Sequence, residues 1–373
     1  MRTPLFFTAF VVVCVCVSGC RTGSDRSPSV DGIMEQRRFA GDGLPGRDYL
    51  LYRPASLGAS APLLVYLHGC DQSAPDVAVG TRWQRYADQL GFAVIYPDQR
   101  DPNAEDAPPA RDDVVVDGNA GKCWNWFVPD EVVRGQGEVG TIAAITQQVA
   151  SELDSDPDRI FLMGLSAGAI LTSAVLANYP ELYSAGGVVA GCGYPYCSDT
   201  TGQPAYNSMG NNARRMPVII FQGTADLIQP YPTSRETLQQ WLGTNDYVDD
   251  GKANQSVSQT SAHQITYGLE NIAPPQEHNP CVYARSYPCT AGTIYSNNSY
   301  PFTIELFLDA NQCLLAEFWT IHGLGHNYPN GNTEGSYTDP FGPDINAAAW
   351  NFFISQTRGG VFDRPTTPCT SLF

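Results

Sequence analysis

A serine lies in the pattern Gly-x-Ser-x-Gly at residues 164–168. The glycines of this pattern allow a tight turn from a strand into a helix, and the turn holds the serine hydroxyl above the sheet beside the first helical N–H groups. The pentapeptide alone is weak evidence, because a plain glycine-rich turn has the same composition. Here a buried strand is expected at 159–163 and a helix at 167–178, which is the context that the motif requires. We therefore predict that Ser166 is a nucleophile.

A serine nucleophile requires a base, and the base requires an acid that orients it. Asp226 follows the apolar segment 217–221, so it is expected just beyond the carboxyl end of a strand, at the functional edge of a parallel sheet. A turn-forming role is the simpler alternative for this residue. The rival acids are Asp246, Asp249 and Asp250, which lie in polar sequence. We predict that Asp226 is the acid.

The base must come from five histidines. His326 follows an expected strand at 314–321, and the glycines before it allow the chain to turn back toward the serine. We predict that His326 is the base, whereas His322, which is nearer the strand, is expected to be packed or hydrogen-bonded. A metal site formed by these two histidines is disfavoured, because two intervening glycines oppose the helix that such a pair needs. We expect no metal ligands.

The oxyanion of an acyl-transfer reaction needs preorganised donors. One is expected to be the backbone N–H of Ala167, and the other the N–H of Cys70, in the loop after the strand at 62–67. A disulfide from Cys70 to Cys123 would brace this loop and bring residues 124–126 close to the site. Core packing and substrate lining are both open for this segment, and we expect at least one of its residues to line the substrate. The candidates are Trp124, Asn125 and Trp126.

The elements that position these residues alternate between strands and helices. Strands are expected at 48–52, 62–67, 92–96, 159–163, 188–190, 217–221, 302–307 and 314–321, and helices at 83–90, 142–153, 167–178, 236–242 and 346–353. This order predicts an α/β fold with a doubly wound, mostly parallel sheet. The polar stretch 244–301 breaks the rhythm, so we predict an insertion there, before the catalytic histidine.

The charge balance excludes some classes of protein. The chain has 373 residues, with 21 Lys+Arg against 38 Asp+Glu, so its net charge is 21 − 38 = −17. Nucleic-acid binding and binding to anionic membrane surfaces need clustered cations, so neither partner is expected. The composition is that of a globular protein, and we find no internal repeat. We predict a single catalytic domain at 37–373.

The N-terminal residues indicate export. Residues 1–19 contain a basic residue and then an apolar run, as in a signal peptide. The run ends in Val-Ser-Gly followed by Cys20, which resembles the site of lipid attachment in lipoproteins. An ordinary signal peptide is the alternative. We predict a lipid anchor on Cys20, a flexible tether at 20–36, and a location outside the cell or in its envelope.

The cysteine count fits an oxidising compartment. Of 11 cysteines, Cys14, Cys16 and Cys20 belong to the export segment, which leaves 11 − 3 = 8 for disulfides. Metal binding is the alternative, but no Cys-x-x-Cys pair supports it. The pairs that we expect are Cys70–Cys123, Cys192–Cys197, Cys281–Cys289 and Cys313–Cys369.

Several segments together resemble the polyhydroxybutyrate depolymerase family of esterases, which includes feruloyl- and acetylxylan-esterase-like members. The resemblance implies an α/β-hydrolase fold and extracellular ester hydrolysis by a Ser-Asp-His triad without a cofactor. By motif it places Ser166, Asp226 and His326 in the triad and Cys70 at the oxyanion hole. The segments are Leu67-His68-Gly69-Cys70-x-Gln72, Cys123-Trp124-Asn125-Trp126-Phe127, Arg134-Gly135-Gln136-Gly137-Glu138, Gly164-Leu165-Ser166-Ala167-Gly168 and Gly325-His326.

Two departures from the family pattern bear on the substrate. Ala169 stands where the family often continues with another glycine, which should leave the turn unchanged. Family members that degrade insoluble polymer usually carry a separate binding domain, and none is expected here, which favours a soluble hydroxyalkanoate oligomer or a similar ester. The alternatives are a feruloyl- or acetylxylan-type esterase, a serine peptidase or amidase, and a non-catalytic binding protein of the envelope.

Overall fold

The computed structural model describes residues 31–41, 43–99, 121–268, 300–309 and 311–356. Several predictions fall outside these residues: the export segment with Cys20, the Cys281–Cys289 pair, and Cys369. Within the described part, no helix is both long and apolar enough to cross a membrane.

One ten-stranded sheet organises the described chain, in the order β1-β2-β4-β3-β5-β6-β7-β10-β9-β8. Six adjacent strands of this sheet run parallel: β4, β3, β5, β6, β7 and β10. Antiparallel strands extend the sheet on both sides. The strands are β1 (Ile33–Phe39), β2 (Arg47–Arg53), β3 (Leu63–Leu67), β4 (Ala93–Asp98), β5 (Ile160–Leu165), β6 (Ala185–Val189), β7 (Val218–Gly223), β8 (His263–Tyr267), β9 (Phe302–Leu308) and β10 (Leu314–Ile321), with a separate pair formed by β11 (Tyr328–Pro329) and β12 (Thr338–Asp339).

Helices cover both faces of the sheet. They are α1 (Ala74–Thr81), α2 (Trp83–Leu90), α3 (Gly137–Glu152), α4 (Ala167–Asn178), α5 (Gln203–Met209), α6 (Tyr231–Asp250) and α7 (Ile345–Ile354). Every residue of β3, β5, β6 and β7 is buried, which explains their continuous apolar sequence. Buried side chains form one cluster on each face, the first with α3, α4 and α6 and the second with α1, α2 and α7. The predicted α/β class with a mostly parallel sheet is therefore confirmed.

The N-terminal boundary differs from the prediction. The expected tether reaches residue 36, but β1 begins at Ile33 and pairs antiparallel with β2, Gln36 opposite Leu50. The strand lies at the sheet edge, and its side chains are exposed or half-buried. Its sequence therefore lacks the apolar alternation that marks a half-buried strand, and it was missed for that reason.

The predicted insertion at 244–301 is too long. Residues 244–250 complete α6, whose buried side chains Leu238, Trp241 and Leu242 pack on the sheet. Residues His263–Tyr267 form the edge strand β8, which pairs with β9. Because β8 is exposed along its length, its sequence is polar and resembles a loop.

Candidate active site

Ser166 occupies a sharp turn between β5 and α4. Its backbone angles are φ 54° and ψ −123°, a combination that costs energy for any residue with a side chain. The turn brings two glycines into close contact, since a Cβ on Gly164 would lie 2.5 Å from the Gly168 carbonyl carbon. A Cβ on Gly168 would lie 2.3 Å from the Leu67 carbonyl oxygen. The Gly-x-Ser-x-Gly pattern is thus required by the contact between β5, α4 and β3.

The surroundings hold the backbone of Ser166 but leave its hydroxyl free to react. The backbone N–H donates to Val189 O in β6 at 2.9 Å, and Ser166 O accepts from Ile170 N at 3.0 Å. Among the described residues, the hydroxyl has no hydrogen-bond partner, and His326 is not bonded to it. The N–H of Ala167 is at the first position of α4, where helical N–H groups have no acceptor within the helix.

Asp226 and His326 form a buried pair. His326 Nδ1 lies 2.8 Å from Asp226 Oδ2, and the two side chains are 8% and 0% exposed. The other carboxylate oxygen, Oδ1, accepts the backbone N–H groups of Ile228 and Gln229, both at 2.9 Å. Because a carboxylate only accepts, Nδ1 of His326 carries the proton and Nε2 is left with its lone pair. This is the tautomer that a general base needs.

The loops that carry the acid and the base are joined by hydrogen bonds. Ala225 N donates to Leu324 O at 3.0 Å, and Gly323 N donates to the Thr224 hydroxyl at 2.8 Å. The loops follow the neighbouring parallel strands β7 and β10. The carboxyl ends of these two strands therefore lie next to each other, and so do the loops. This pairing explains how residues separated by 100 positions come together.

Gln222, which was not among the predicted site residues, helps to hold Asp226. It ends in a fully buried amide whose Nε2 donates to Asp226 Oδ2 at 3.2 Å and to Gln229 O at 2.8 Å. Its Oε1 accepts from the Ser234 hydroxyl at 2.6 Å. The sequence does contain a signal for this residue: Gln222 lies inside an otherwise apolar strand and four residues before Asp226.

The rival residues have other partners. Asp246 lies in α6, where its carboxylate accepts the N–H groups of Asn254, Gln255 and Val257 and so caps a loop. His322 Nε2 is 2.9 Å from the Thr303 hydroxyl, and burial lowers the pKa of this histidine. The expectation that His322 is hydrogen-bonded agrees with this contact.

The loop after β3 lies against Ser166. A Cβ on Gly69 would be 3.3 Å from Ser166 Cβ. The predicted disulfide from Cys70 to Cys123 is present, with the two Cα atoms 4.2 Å apart. The adjacent Asp71 N donates to Gly121 O at 2.6 Å, whereas the Cys70 N–H has no acceptor among the described residues.

The segment after Cys123 lies mainly in the interior. Trp124 has no exposed surface, and its indole N–H donates to His68 O at 2.8 Å, so this side chain braces the loop and does not line an open site. Asn125 is 9% exposed, and its backbone N–H donates to Glu138 Oε2 at 2.6 Å. Trp126 is half-buried against the core and contacts Phe127 edge-on. Of the three predicted lining residues, Trp126 has the clearest access to solvent.

Two further predicted disulfides have at least one cysteine within the described residues. The Cys192–Cys197 disulfide is present, in the loop after β6. Cys313 is also disulfide-bonded, while its predicted partner, Cys369, lies outside the described residues. No group of three or more His, Cys, Asp or Glu side chains in the described part of the chain is arranged to hold a metal ion.

Residues 47–263 match the family described as esterase PHB depolymerase. Poly(3-hydroxyalkanoate) depolymerase C of Paucimonas lemoignei is 26% identical over 365 residues, covering 96% of this chain and 75% of the relative. Feruloyl esterase B of Neurospora crassa is 28% identical over 242 residues, covering 58% of this chain and 76% of the relative.

A solved structure supports the fold. An acetyl xylan esterase from Aspergillus awamori superposes with a TM-score of 0.57 at 18% identity, covering 87% of this chain and 100% of that one. This likeness shows the α/β-hydrolase architecture. Because the family match spans more than half of the sequence, the chain belongs to the PHB depolymerase family of esterases and is a carboxylic ester hydrolase.

Proposed function

We propose that this esterase works by two-step acyl transfer, with Ser166 as nucleophile, His326 as general base and Asp226 as the acid that orients it. The hydrogen bond between His326 Nδ1 and Asp226 Oδ2, at the sheet edge that carries the strained Ser166, is the observation that supports this most directly. The Ser166–His326 hydrogen bond is expected in the substrate complex, since catalytic hydrogen bonds are often long or absent without substrate.

In the first step, His326 Nε2 takes the Ser166 proton while Oγ attacks the ester carbonyl carbon. The carbonyl oxygen becomes an oxyanion that accepts from the N–H groups of Ala167 and Cys70. The tetrahedral intermediate collapses as the C–O bond to the alcohol breaks, and the imidazolium gives its proton to the departing alkoxide. An acyl-enzyme ester on Ser166 remains.

In the second step, His326 Nε2 takes a proton from water, and the resulting hydroxide attacks the acyl carbonyl carbon. The same two N–H groups hold the new oxyanion. Collapse breaks the bond between the acyl carbon and Ser166 Oγ, and the imidazolium returns the proton to Oγ. The products are the free acid and the regenerated serine, so no cofactor is needed.

For the substrate we propose a hydroxyalkanoate oligomer or a similar ester. The Paucimonas lemoignei relative, named for poly(3-hydroxyalkanoate), aligns with nearly the whole chain, which supports this choice. Two exposed apolar side chains that follow candidate site residues in the sequence suit an aliphatic ester: Leu227, directly after Asp226, is 75% exposed, and Phe127, directly after Trp126, is 53% exposed. Acetylated or feruloylated polysaccharide is the second candidate, supported by the esterases of those names among the relatives.

We also propose export, supported by two disulfides in the described chain and by the apolar segment before Cys20. Lipid attachment at Cys20 would retain the enzyme at the cell envelope. Replacing Cys20 by serine should release the protein into the soluble fraction, and equal membrane retention of the variant would contradict the anchor.

The triad is tested with wild type and Ser166→Ala side by side. We expect wild type to react with a fluorophosphonate probe and to hydrolyse p-nitrophenyl acyl esters, and the variant to do neither. A labelled variant would refute the assignment of Ser166. The acyl length that gives the highest kcat/KM reports the size of the acyl-binding pocket. The substrate classes are separated by comparing hydrolysis of matched 3-hydroxybutyrate oligomers, acetylated xylan and methyl ferulate. An amide with the preferred acyl group measures any peptidase activity.

A further inference from the structure

Tyr337 is a buried aromatic residue beside the proposed general base, and the reaction described above does not use it. The centroids of the Tyr337 and His326 rings lie 6.3 Å apart, and the ring planes are nearly perpendicular, at 82°. An edge-to-face arrangement at this separation is favourable for two aromatic rings. Tyr337 is 6% exposed and packs in the apolar cluster on the face of α1, α2 and α7, so its ring has little freedom to move away from the imidazole.

The backbone of Tyr337 has a conformation that residues with a side chain rarely adopt. Its φ is 51°, in the left-handed region, which favours glycine over a bulky aromatic residue. A strained residue persists only where its surroundings hold it in place, and such residues are concentrated at functional sites. A glycine at this position would avoid the backbone cost, but it would place no ring against His326.

The residue before Tyr337 is anchored to α1 and to the loop after β3. Ser336 N donates to Asp76 Oδ1 at 2.9 Å, and the Ser336 hydroxyl donates to the same carboxylate. Ser336 O accepts from Gln72 Nε2 at 2.9 Å. These contacts hold the chain at the point where it enters the strained conformation.

Other hydrogen bonds join Tyr337 to the segment that carries His326. Tyr328 N, two residues after His326, donates to Tyr337 O at 2.7 Å. Tyr328 and Thr338 are paired in the short strands β11 and β12. The Thr338 hydroxyl donates to Gly335 O at 2.9 Å and closes the turn that contains Tyr337. The backbone of Tyr337 is therefore held against the same segment of chain that its ring contacts.

We infer that Tyr337 is a positioning residue for the general base: its ring holds the plane of the His326 imidazole so that Nε2 is presented to Ser166 and then to the departing alcohol. This inference rests on the proposed function. The hydrogen bond from His326 Nδ1 to Asp226 Oδ2 restrains one atom of the imidazole but leaves the ring free to tilt about that bond. The perpendicular ring of Tyr337 opposes this tilt, so Tyr337 acts through His326 and not through the substrate.

Two substitutions test the ring itself. Tyr337→Phe keeps the ring and should keep nearly the wild-type kcat. Tyr337→Leu removes the ring but keeps an apolar side chain. We expect it to lower kcat about 10- to 100-fold with KM nearly unchanged, because a tilted imidazole loses its alignment in the transition state while substrate binding is unaffected.

The backbone strain is tested by comparing Tyr337→Gly with Tyr337→Ala, which both lack the ring. Glycine adopts a φ of 51° without strain and alanine does not, so the glycine variant should have the higher melting temperature. Both variants should share the low kcat of Tyr337→Leu, since relief of the strain does not replace the ring. A higher melting temperature for the alanine variant, or a wild-type kcat in the glycine variant, would overturn the inference.

The measurement is steady-state hydrolysis of p-nitrophenyl acetate, with thermal unfolding to confirm that each variant is folded at the assay temperature. Thr338→Val is the matched control, because it removes the hydroxyl that closes the same turn and leaves the Tyr337 ring in place. It should lower the melting temperature while kcat stays near the wild-type value. A wild-type kcat in Tyr337→Leu, a change confined to KM, or an equal fall of kcat in Thr338→Val would each overturn the inference.

The variant His326→Ala separates this inference from the proposed function. Loss of activity in His326→Ala beside a normal kcat in Tyr337→Leu would refute the inference and leave the proposed function standing. Full activity of His326→Ala would refute the proposed function itself.

A second measurement uses the wild-type protein with isotope-labelled histidine and tyrosine. We expect nuclear Overhauser effects between the ring protons of His326 and those of Tyr337. The Tyr337 signals are assigned by their loss in Tyr337→Phe, and the His326 signals by their loss in His326→Ala. Absence of these effects would overturn the inference even if the leucine, glycine and alanine variants were too unstable for kinetics.

Discussion

At the scale of single residues, the site depends on groups that other groups hold in place. Ser166 is in an unfavourable backbone conformation, which the contacts of Gly164 and Gly168 maintain. Asp226 accepts from two backbone N–H groups, from Gln222 and from His326, so its carboxylate has little freedom to turn. Such preorganisation places the charge that will stabilise the imidazolium before the reaction begins.

The assignment of the acid predicts the effect of Asp226→Asn. An amide in place of this carboxylate can offer an N–H to His326 Nδ1, which would favour the unreactive tautomer and remove the charge that stabilises the imidazolium. We expect kcat to fall about 1,000- to 10,000-fold, with KM little changed. The measurement is kcat and KM for p-nitrophenyl acetate across neutral pH. A loss below tenfold would be incompatible with this role.

Asp246→Asn is the matched control, because Asp246 was a rival acid in the sequence. Its carboxylate caps the loop after α6 by accepting the N–H groups of Asn254, Gln255 and Val257. The substitution should lower the melting temperature while kcat stays at the wild-type value. A large loss of kcat in this variant at a temperature where it is folded would reopen the choice between the two aspartates.

Between the secondary-structure elements, three loops are held at the carboxyl ends of the parallel strands. The loop after β3 is held by the Cys70–Cys123 disulfide, by the Trp124 indole N–H and by Gln72. The loops after β7 and β10 hold each other through backbone hydrogen bonds. These contacts restrict the three segments without relying on substrate, which suits an enzyme whose donors must be aligned in advance.

Removal of the Cys70–Cys123 disulfide should reduce both activity and stability. The bridge joins residues 53 positions apart, and a loop of this length corresponds to about 4 kcal/mol of unfolding free energy in the chain-entropy description. We expect Cys70→Ala/Cys123→Ala to lower kcat, because the Cys70 N–H loses one of its anchors. Denaturant unfolding and steady-state kinetics measure the two effects.

The Cys192–Cys197 pair serves as the control for that variant. It closes a separation of only 5 residues, for which the same description gives about 2 kcal/mol, and it lies outside the loop after β3. The Cys192→Ala/Cys197→Ala variant should be less destabilised than the Cys70→Ala/Cys123→Ala variant and should keep a higher kcat. Full activity in the Cys70→Ala/Cys123→Ala variant would contradict a catalytic effect of the bridge.

At the scale of the whole molecule, sheet topology and net charge govern what can react. The parallel strands β3, β5, β7 and β10 each end at the same side of the sheet, so the loop after β3, Ser166, Asp226 and the loop of His326 meet there. The net charge of −17 produces a field that disfavours anionic molecules near the surface. A neutral ester escapes this penalty.

The charge predicts a salt effect that depends on the substrate. For an anionic ester such as p-nitrophenyl hemisuccinate, kcat/KM should rise a few-fold as salt increases from about 10 mM to about 150 mM, because screening shortens the repulsive field to about 8 Å. For neutral p-nitrophenyl acetate, kcat/KM should stay constant as the salt concentration rises. A salt-independent rate for the anionic ester would show that the site shields its substrates from the net charge.

The apolar patterns along the chain are sufficient to locate the elements that are buried on both sides. The predicted bounds of the strands β3, β5, β7 and β10 and of the helix α4 lie within two residues of the observed ones, because burial of all or nearly all residues requires a largely apolar sequence that solvent-exposed segments lack. The sequence also indicates the residue types of the site, since a serine between two glycines, an aspartate after a strand and a histidine after glycines are local patterns. The exposed strands β1 and β8 have no such pattern and were not predicted.

Which polar side chains pair with each other follows from the folded arrangement of strands and loops. The apolar strand before Asp226 favours this residue over Asp246, but the sequence does not give their partners: Asp226 Oδ2 lies 2.8 Å from His326 Nδ1, whereas Asp246 caps a loop. The hydrogen bond from the Trp124 indole N–H to His68 O likewise joins residues 56 positions apart. Hydrogen bonds act over about 3 Å between atoms whose sequence separation is arbitrary, so side-chain pairing is established by the packing of strands and loops and cannot be read from neighbouring residues.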